Sequence, residues 1–203
     1  TRIRLGMFDE ECEYNQIPYE VNDCKEHNEV SLMASRKSIV LLKNNGLLPL
    51  DKSKIKSIGV IGPNSDSELM LKGNYFGTAS RYITILEGIH EAVGEDVRVF
   101  YSEGCHLYKD SISDLALPSV NDRLAEAITV AEHSDVVVMC LGLDSSIEGE
   151  QGDAGNSEGA GDKANLNLPG KQQELLEKVI ETGTPVILII GAGSALTFNG
   201  MED

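Results

Sequence analysis

No stretch of this 203-residue chain is apolar for long enough to cross a bilayer. Its longest apolar runs, around 136–141 and 186–190, fall far short of the roughly 20 residues a membrane-spanning helix requires. Basic residues are scarce: 17 Lys and Arg stand against 33 Asp and Glu, a formal net charge of −16. Nucleic acid and anionic lipid surfaces need clustered basic side chains, so neither is expected as a partner. Cysteine is sparse and scattered. Cys12, Cys24, Cys105 and Cys140 form no C-x-x-C pair, and no His stands at zinc-finger spacing, so no metal centre is expected. Cys12 and Cys24 can pair only if the N-terminal segment folds back on itself, and Cys140 reads as a small buried hydrophobe. The opening TRIRLGMFDEE lacks the basic region and apolar core of a signal peptide. It also lacks an initiator Met, and with the abrupt stop at Asp203 this leads us to expect a piece of a longer protein, secreted or cytoplasmic.

What is present describes an ordinary folding chain, 41% hydrophobic and 25% charged, with room for one sizeable core. Residues 1–25 are polar and aperiodic, as in a linker. Over 26–43 the positions Val30, Met33, Ala34, Val40 and Leu41 recur at helical spacing before Asn45-Gly46, which predicts a long helix. Strands are expected at 57–61, 97–101, 135–141 and 185–190, and helices at 83–93, 123–133 and 172–181. Strands apolar on both faces that alternate with helices predict an α/β fold: a mostly parallel sheet flanked by helices on both faces. In such sheets ligands bind beyond the carboxyl ends of the strands.

One loop at that edge stands out. After Leu141 the chain runs GLDSSIEGEQGDAGNSEGAGDKANLNLPG, with Asp144, Glu148, Glu150, Asp153, Glu158 and Asp162 preceding its first basic residue, Lys163. A loop this long is either functional or simply a solvated acidic segment. As a calcium loop begun at Asp153 it fails, with Gly155 and Ala164 at ligand positions. As a phosphate loop it fails, because Asp162 precedes Lys163. Gly191-Ala192-Gly193 lacks the spacing of a dinucleotide fingerprint. Ser194 in G-A-G-S-A is no hydrolase elbow, and His27, His90, His106 and His133 each stand alone. Paired carboxylates in such a loop suit glycoside cleavage, where one group protonates the departing oxygen and another attacks or activates water.

The order of motifs resembles the second domain of glycoside hydrolase family 3, the β-glucosidase and β-xylosidase family. HNEVSLMASRKSIVLLKNNGLLPL is similar to that family's linker helix and its VLLKN-x-x-x-LPL signature. IGVIGPNSD with GNYFGTASRYITILEGI resembles its first strand and the turn after it. GLDSSIEGE followed by LNLPGKQQELLEKV resembles its acid/base loop and the helix that follows.

The resemblance implies a six-stranded α/β sandwich over 26–203, incomplete at its C-terminus, with 1–25 as the exit segment of a preceding TIM-like barrel. It implies an exo-acting, retaining β-glycosidase acting on terminal nonreducing β-D-glucosyl or β-D-xylosyl residues, with the nucleophile on the barrel and no cofactor or catalytic metal. Within G-L-D-x-S-I-E-x-E, Glu148 takes the general acid/base role. Glu150 is the runner-up, and Glu158 stays a candidate because Gln151-Gly152-Asp153 departs from the family's pattern. A β-linked oligosaccharide or glycoside is the implied substrate, and 203 residues without the barrel are expected to be inactive. The alternative is a noncatalytic α/β module whose acidic loop binds a cation or a partner protein.

Overall fold

The computed structural model describes residues 1–73, 76–109, 122–147, 163 and 165–198. The chain divides into two compact units, Thr1–Gly46 with Thr78–Ser80, and Leu47–Gly77 with Arg81–Asp203.

The first unit carries three short 3-10 turns, Ile3–Leu5, Glu13–Gln16 and Tyr19–Val21, followed by helix α1, Lys25–Ser38. The Asn28 amide donates to the carbonyls of Asp23 and Cys24 and so steadies the helix start. Hydrogen bonds from Ser80 and then Asn28 hold the Asp23 carboxyl below its ordinary value. The helix ends five residues short of the expected Lys43. Ile39 is already extended (φ −69°, ψ 127°), since consecutive β-branched residues at 39–40 disfavour the helix. Val40 and Leu41 therefore lie beyond the helical stripe and are exposed. Cys12 and Cys24 are free thiols, as are Cys105 and Cys140.

The second unit is the α/β body. Strands β1 (Ser57–Ile61), β2 (Arg98–Ser102), β3 (Val136–Gly142) and β4 (Val186–Gly191) alternate with helices α2 (Ile85–Val93), α3 (Asp122–Glu132) and α4 (Gln172–Glu181). The described residues form one four-stranded sheet, order β2-β1-β3-β4, with every pair parallel. Helix α2 starts two residues later than periodicity suggests, because Thr84 caps it: the Thr84 hydroxyl accepts from the Glu87 amide and donates to Asp66 Oδ1 at 2.8 Å.

Alternation along the central strands sorts the core into two faces. Ile61, Val137, Met139 and Leu141 pack with Ala127 and Ala131 of α3 and with Leu175, Leu176 and Val179 of α4. Ile58, Val60, Val136, Val138 and Cys140 pack against Ile85, Leu86, Ile89 and Val93 of α2. Helices thus cover both faces. Each Val, Leu, Ile or Met side chain among them contributes about 1.5–3 kcal/mol on full burial, and all seven residues of β3 are buried.

The strand exits require glycine. Gly62 has φ 122°, and a Cβ there would lie 2.1 Å from the Cys140 carbonyl oxygen; Gly142 has φ 130°, and its Cβ would lie 2.0 Å from the Gly191 oxygen. The chain crosses too closely at both points for any side chain.

Candidate functional site

Strand order determines where a site forms. The chain leaves β1 for β2 on one side and later places β3 on the other, so the crevice opens between the carboxyl ends of β1 and β3. Three loops converge there: Gly62-Pro63-Asn64-Ser65-Asp66 after β1, Leu143-Asp144-Ser145-Ser146 after β3, and Ala192-Gly193 after β4.

Asn64 joins the first two loops. It is 1% exposed, its backbone N–H donates to the Cys140 carbonyl at 3.3 Å, and its side-chain Nδ2 donates to the Leu143 carbonyl at 3.2 Å. The Leu143 N–H in turn donates to the Gly191 carbonyl at 2.7 Å, tying the second loop to the third. Asp144 is buried, and its Oδ1 accepts from the Ser146 amide at 2.8 Å and the Ser146 hydroxyl at 2.6 Å. This turn sends the chain out of the sheet.

Beside it lies a cleft of about 340 Å³ lined by Met70, Lys72, Gly73, Leu143, Asp144, Ser145 and 191–193. The Lys72 ammonium sits 4.3 Å above the Tyr82 ring centroid and 5.5 Å from that of Phe76, a cation–π arrangement that holds the lysine over aromatic faces. Apolar, cationic, anionic and hydroxyl groups thus line one concave surface at the carboxyl edge of the sheet.

A second group of polar side chains stands at the end of β2. Burial raises the Glu103 carboxyl, partly opposed by Arg123, and the Ser102 hydroxyl donates to Glu126 at 3.2 Å. Among the described residues no group of three or more His, Cys, Asp or Glu side chains is arranged to hold a metal ion.

Glu148, Glu150 and Glu158 all lie outside the described residues, as do Asp153, Gly155 and Asp162. The described part of their loop, Leu143 to Ile147, leaves the sheet at the expected edge. His106 takes a local part: its Nδ1 accepts from the Tyr108 and Lys109 amides, and its ring stands edge-on to Tyr108.

Asn64 and Gln172 carry more of the site's architecture than their sequence suggests. Both belong to recognisable motifs, G-P-N-S-D and L-P-G-K-Q, yet nothing in the spacing marks them as buried. The signal that a search could use is a polar residue held at a fixed place beside a strand-end glycine.

The sequence model of the "Glycosyl hydrolase family 3 C-terminal domain" matches residues 39–203. A "Beta-xylosidase" of Formosa agariphila is 38% identical over 206 residues, an alignment covering 98% of this chain and 26% of that protein. "Beta-D-xylosidase 3" of Arabidopsis thaliana is 35% identical, covering 98% of this chain and 24% of that protein. The chain therefore spans about a quarter of the length of these curated relatives. Among solved structures, a "GH3 exo-beta-xylosidase (XlnD) in complex with xylobiose aziridine activity based probe" superposes with TM-score 0.74 at 29% identity over 92% of this chain and 22% of its own. A β-glucosidase from Listeria innocua in complex with glucose superposes with TM-score 0.72 at 26% identity over 96% of this chain and 24% of its own.

Proposed function

The chain belongs to glycosyl hydrolase family 3, whose C-terminal domain it carries, and from that premise we propose that it supplies the general acid/base of an exo-acting, retaining β-glycosidase. The substrates are glycosides with a terminal nonreducing β-D-xylosyl or β-D-glucosyl residue. Both curated relatives named above are β-xylosidases, and both xylosidase and glucosidase appear among the similar structures. In this reading residues 1–25 lead out of a preceding TIM-like barrel, and 26–203 carry the linker helix α1 and then the sandwich domain. The observation that carries it is the root of the loop after β3, held at the crevice between β1 and β3 by Asn64 and Gly191.

Glu148 protonates the glycosidic oxygen as the barrel's Asp attacks the anomeric carbon, forming the covalent glycosyl-enzyme and releasing the leaving alcohol. Its carboxylate then takes a proton from water, which attacks the same carbon, frees the Asp and releases the sugar with retained configuration. The reading calls for no cofactor or metal.

The test compares Glu148→Ala, Glu150→Ala and Glu158→Ala in the complete enzyme. General acid catalysis contributes typically about 100- to 10,000-fold and matters most when the leaving group is poor. Glu148→Ala should therefore lose disaccharide hydrolysis while keeping most of its first-step rate on an activated aryl glycoside. The covalent intermediate should accumulate, and azide should restore turnover as a glycosyl azide of retained configuration. If Glu150→Ala or Glu158→Ala behaves this way instead, the role moves to that residue. If none does, the loop is not the acid/base loop.

A further inference from the structure

The two ends of the segment that carries the candidate glutamates meet on one buried side chain. Gln172, fully buried at the start of α4, accepts from the Gly142 N–H through Oε1 at 2.8 Å. Its Nε2 donates to the Gly142 carbonyl at 2.8 Å and to the Leu107 carbonyl at 2.7 Å. The last rung between β1 and β3 pairs Ile61 with Met139. Gly142 lies three residues past it, so the Gln172 amide, with its donor and acceptor side by side, fills the place a neighbouring strand would take.

Leu143 is held as firmly, its N–H on Gly191 and its carbonyl on Asn64. All four backbone polar groups of Gly142 and Leu143 are therefore paired, two of them by a side chain that stands at the far end of the segment. Glu148, Glu150 and Glu158 all fall between Gly142 and Gln172. An apolar side chain of similar length would fill the same volume but could not fix the direction in which the chain leaves the sheet.

We propose that Gln172 is a positioning residue for the general acid/base: it ties the two ends of the segment together and so sets where the acid is presented to the glycosidic oxygen. The inference rests on the acid/base reading above. A group displaced by about 1 Å can cost about 100-fold in rate, and the loss should fall on the step that needs the proton.

The experiment uses Gln172→Glu, which keeps an acceptor for Gly142 N–H but loses both donations, and Gln172→Met, which keeps volume alone. Rates in the complete enzyme are expressed per active site, titrated with a mechanism-based inhibitor that traps the nucleophile, so misfolded protein is not counted. Positioning predicts about a 10- to 100-fold loss on disaccharides with the activated aryl glycoside kept within about threefold, and partial azide rescue.

A purely structural role would lower the number of titratable sites and leave the ratio of the two rates unchanged, and that result overturns the proposal. So does the absence of titratable sites in both variants, which assigns Gln172 to folding alone. The three Glu→Ala variants run in parallel. If one shows leaving-group selectivity and the Gln172 variants do not, the positioning role alone falls. If no Glu variant shows it, the acid/base reading fails first and takes this inference with it.

Discussion

Burial pushes the Cys105 thiol up to about 12 and the Cys140 thiol up to about 11, from an ordinary value of 9.0. The Glu103 and Glu174 carboxylates add to the shift at Cys105, and the Ser65 hydroxyl partly opposes it at Cys140. Because the folded values are the higher ones, the folded state holds these protons more tightly. The stability they contribute is complete below pH 9 and is lost as the pH rises through the folded values. Each thiol should cost about 1.4 kcal/mol per pH unit across that window. Urea midpoints measured between pH 8 and 10.5 should fall more steeply for the unmodified chain than for Cys105→Ala with Cys140→Ala. Equal slopes would rule out the two thiols as the cause. At pH 8 a thiol reagent should reach Cys12 and Cys24 in the folded chain, and Cys105 and Cys140 only after unfolding.

The same logic with the opposite sign applies where the elements join. Asp135, in the turn from α3 to β3, accepts the Lys56 N–H at 2.7 Å and the Ser57 N–H at 3.0 Å through Oδ2, closing the head of β1 against the head of β3. These two backbone amides, Lys56 first, hold its carboxyl below the ordinary 3.8. The folded value is the lower one, so the contribution is present above pH 4 and is lost as the pH falls through the folded value. Asp135→Ala should lower the urea midpoint at pH 7 and converge with the unmodified chain in strong acid. A difference that persists undiminished at the lowest pH would mean the carboxylate plays no part. Helix α1 teaches a related lesson at its other end: helical spacing extends to Leu41, but the chain becomes extended at Ile39, since a run of β-branched residues outweighs periodicity where no packing enforces it.

At the scale of the whole molecule, the α/β body roots the candidate loop at the carboxyl end of β3, where the described residues 143–147 leave the sheet, while double displacement needs two carboxyl groups about 5–5.5 Å apart across the sugar. In the proposed reading the second belongs to the barrel. The 203-residue chain by itself should therefore release no aryl alcohol from aryl β-xylosides or β-glucosides. Adding the barrel domain in the same polypeptide should bring activity with it. Turnover by the 203 residues alone, at a rate near that of complete β-glycosidases, would place the active site elsewhere.

Periodicity and motif order, both local properties, were enough to establish the α/β class, the alternation of strands and helices, the bounds of β1 and α4, and the edge from which the acidic loop departs. Strand order, by contrast, emerges only when distant segments compete for the same neighbours, and it alone puts the crevice between β1 and β3. The roles of Asn64 and Gln172 were hidden for the same reason. Asn64 meets Leu143 across 79 residues, and Gln172 meets Gly142 across 30 and Leu107 across 65. Nothing in the neighbourhood of a polar residue along the chain tells whether it will end in water or against a strand that has run out of partners. Folding decided that, because a buried N–H and carbonyl left unpaired at Gly142 would each cost about 1–3 kcal/mol, and the Gln172 side chain is what the packed fold places within their reach.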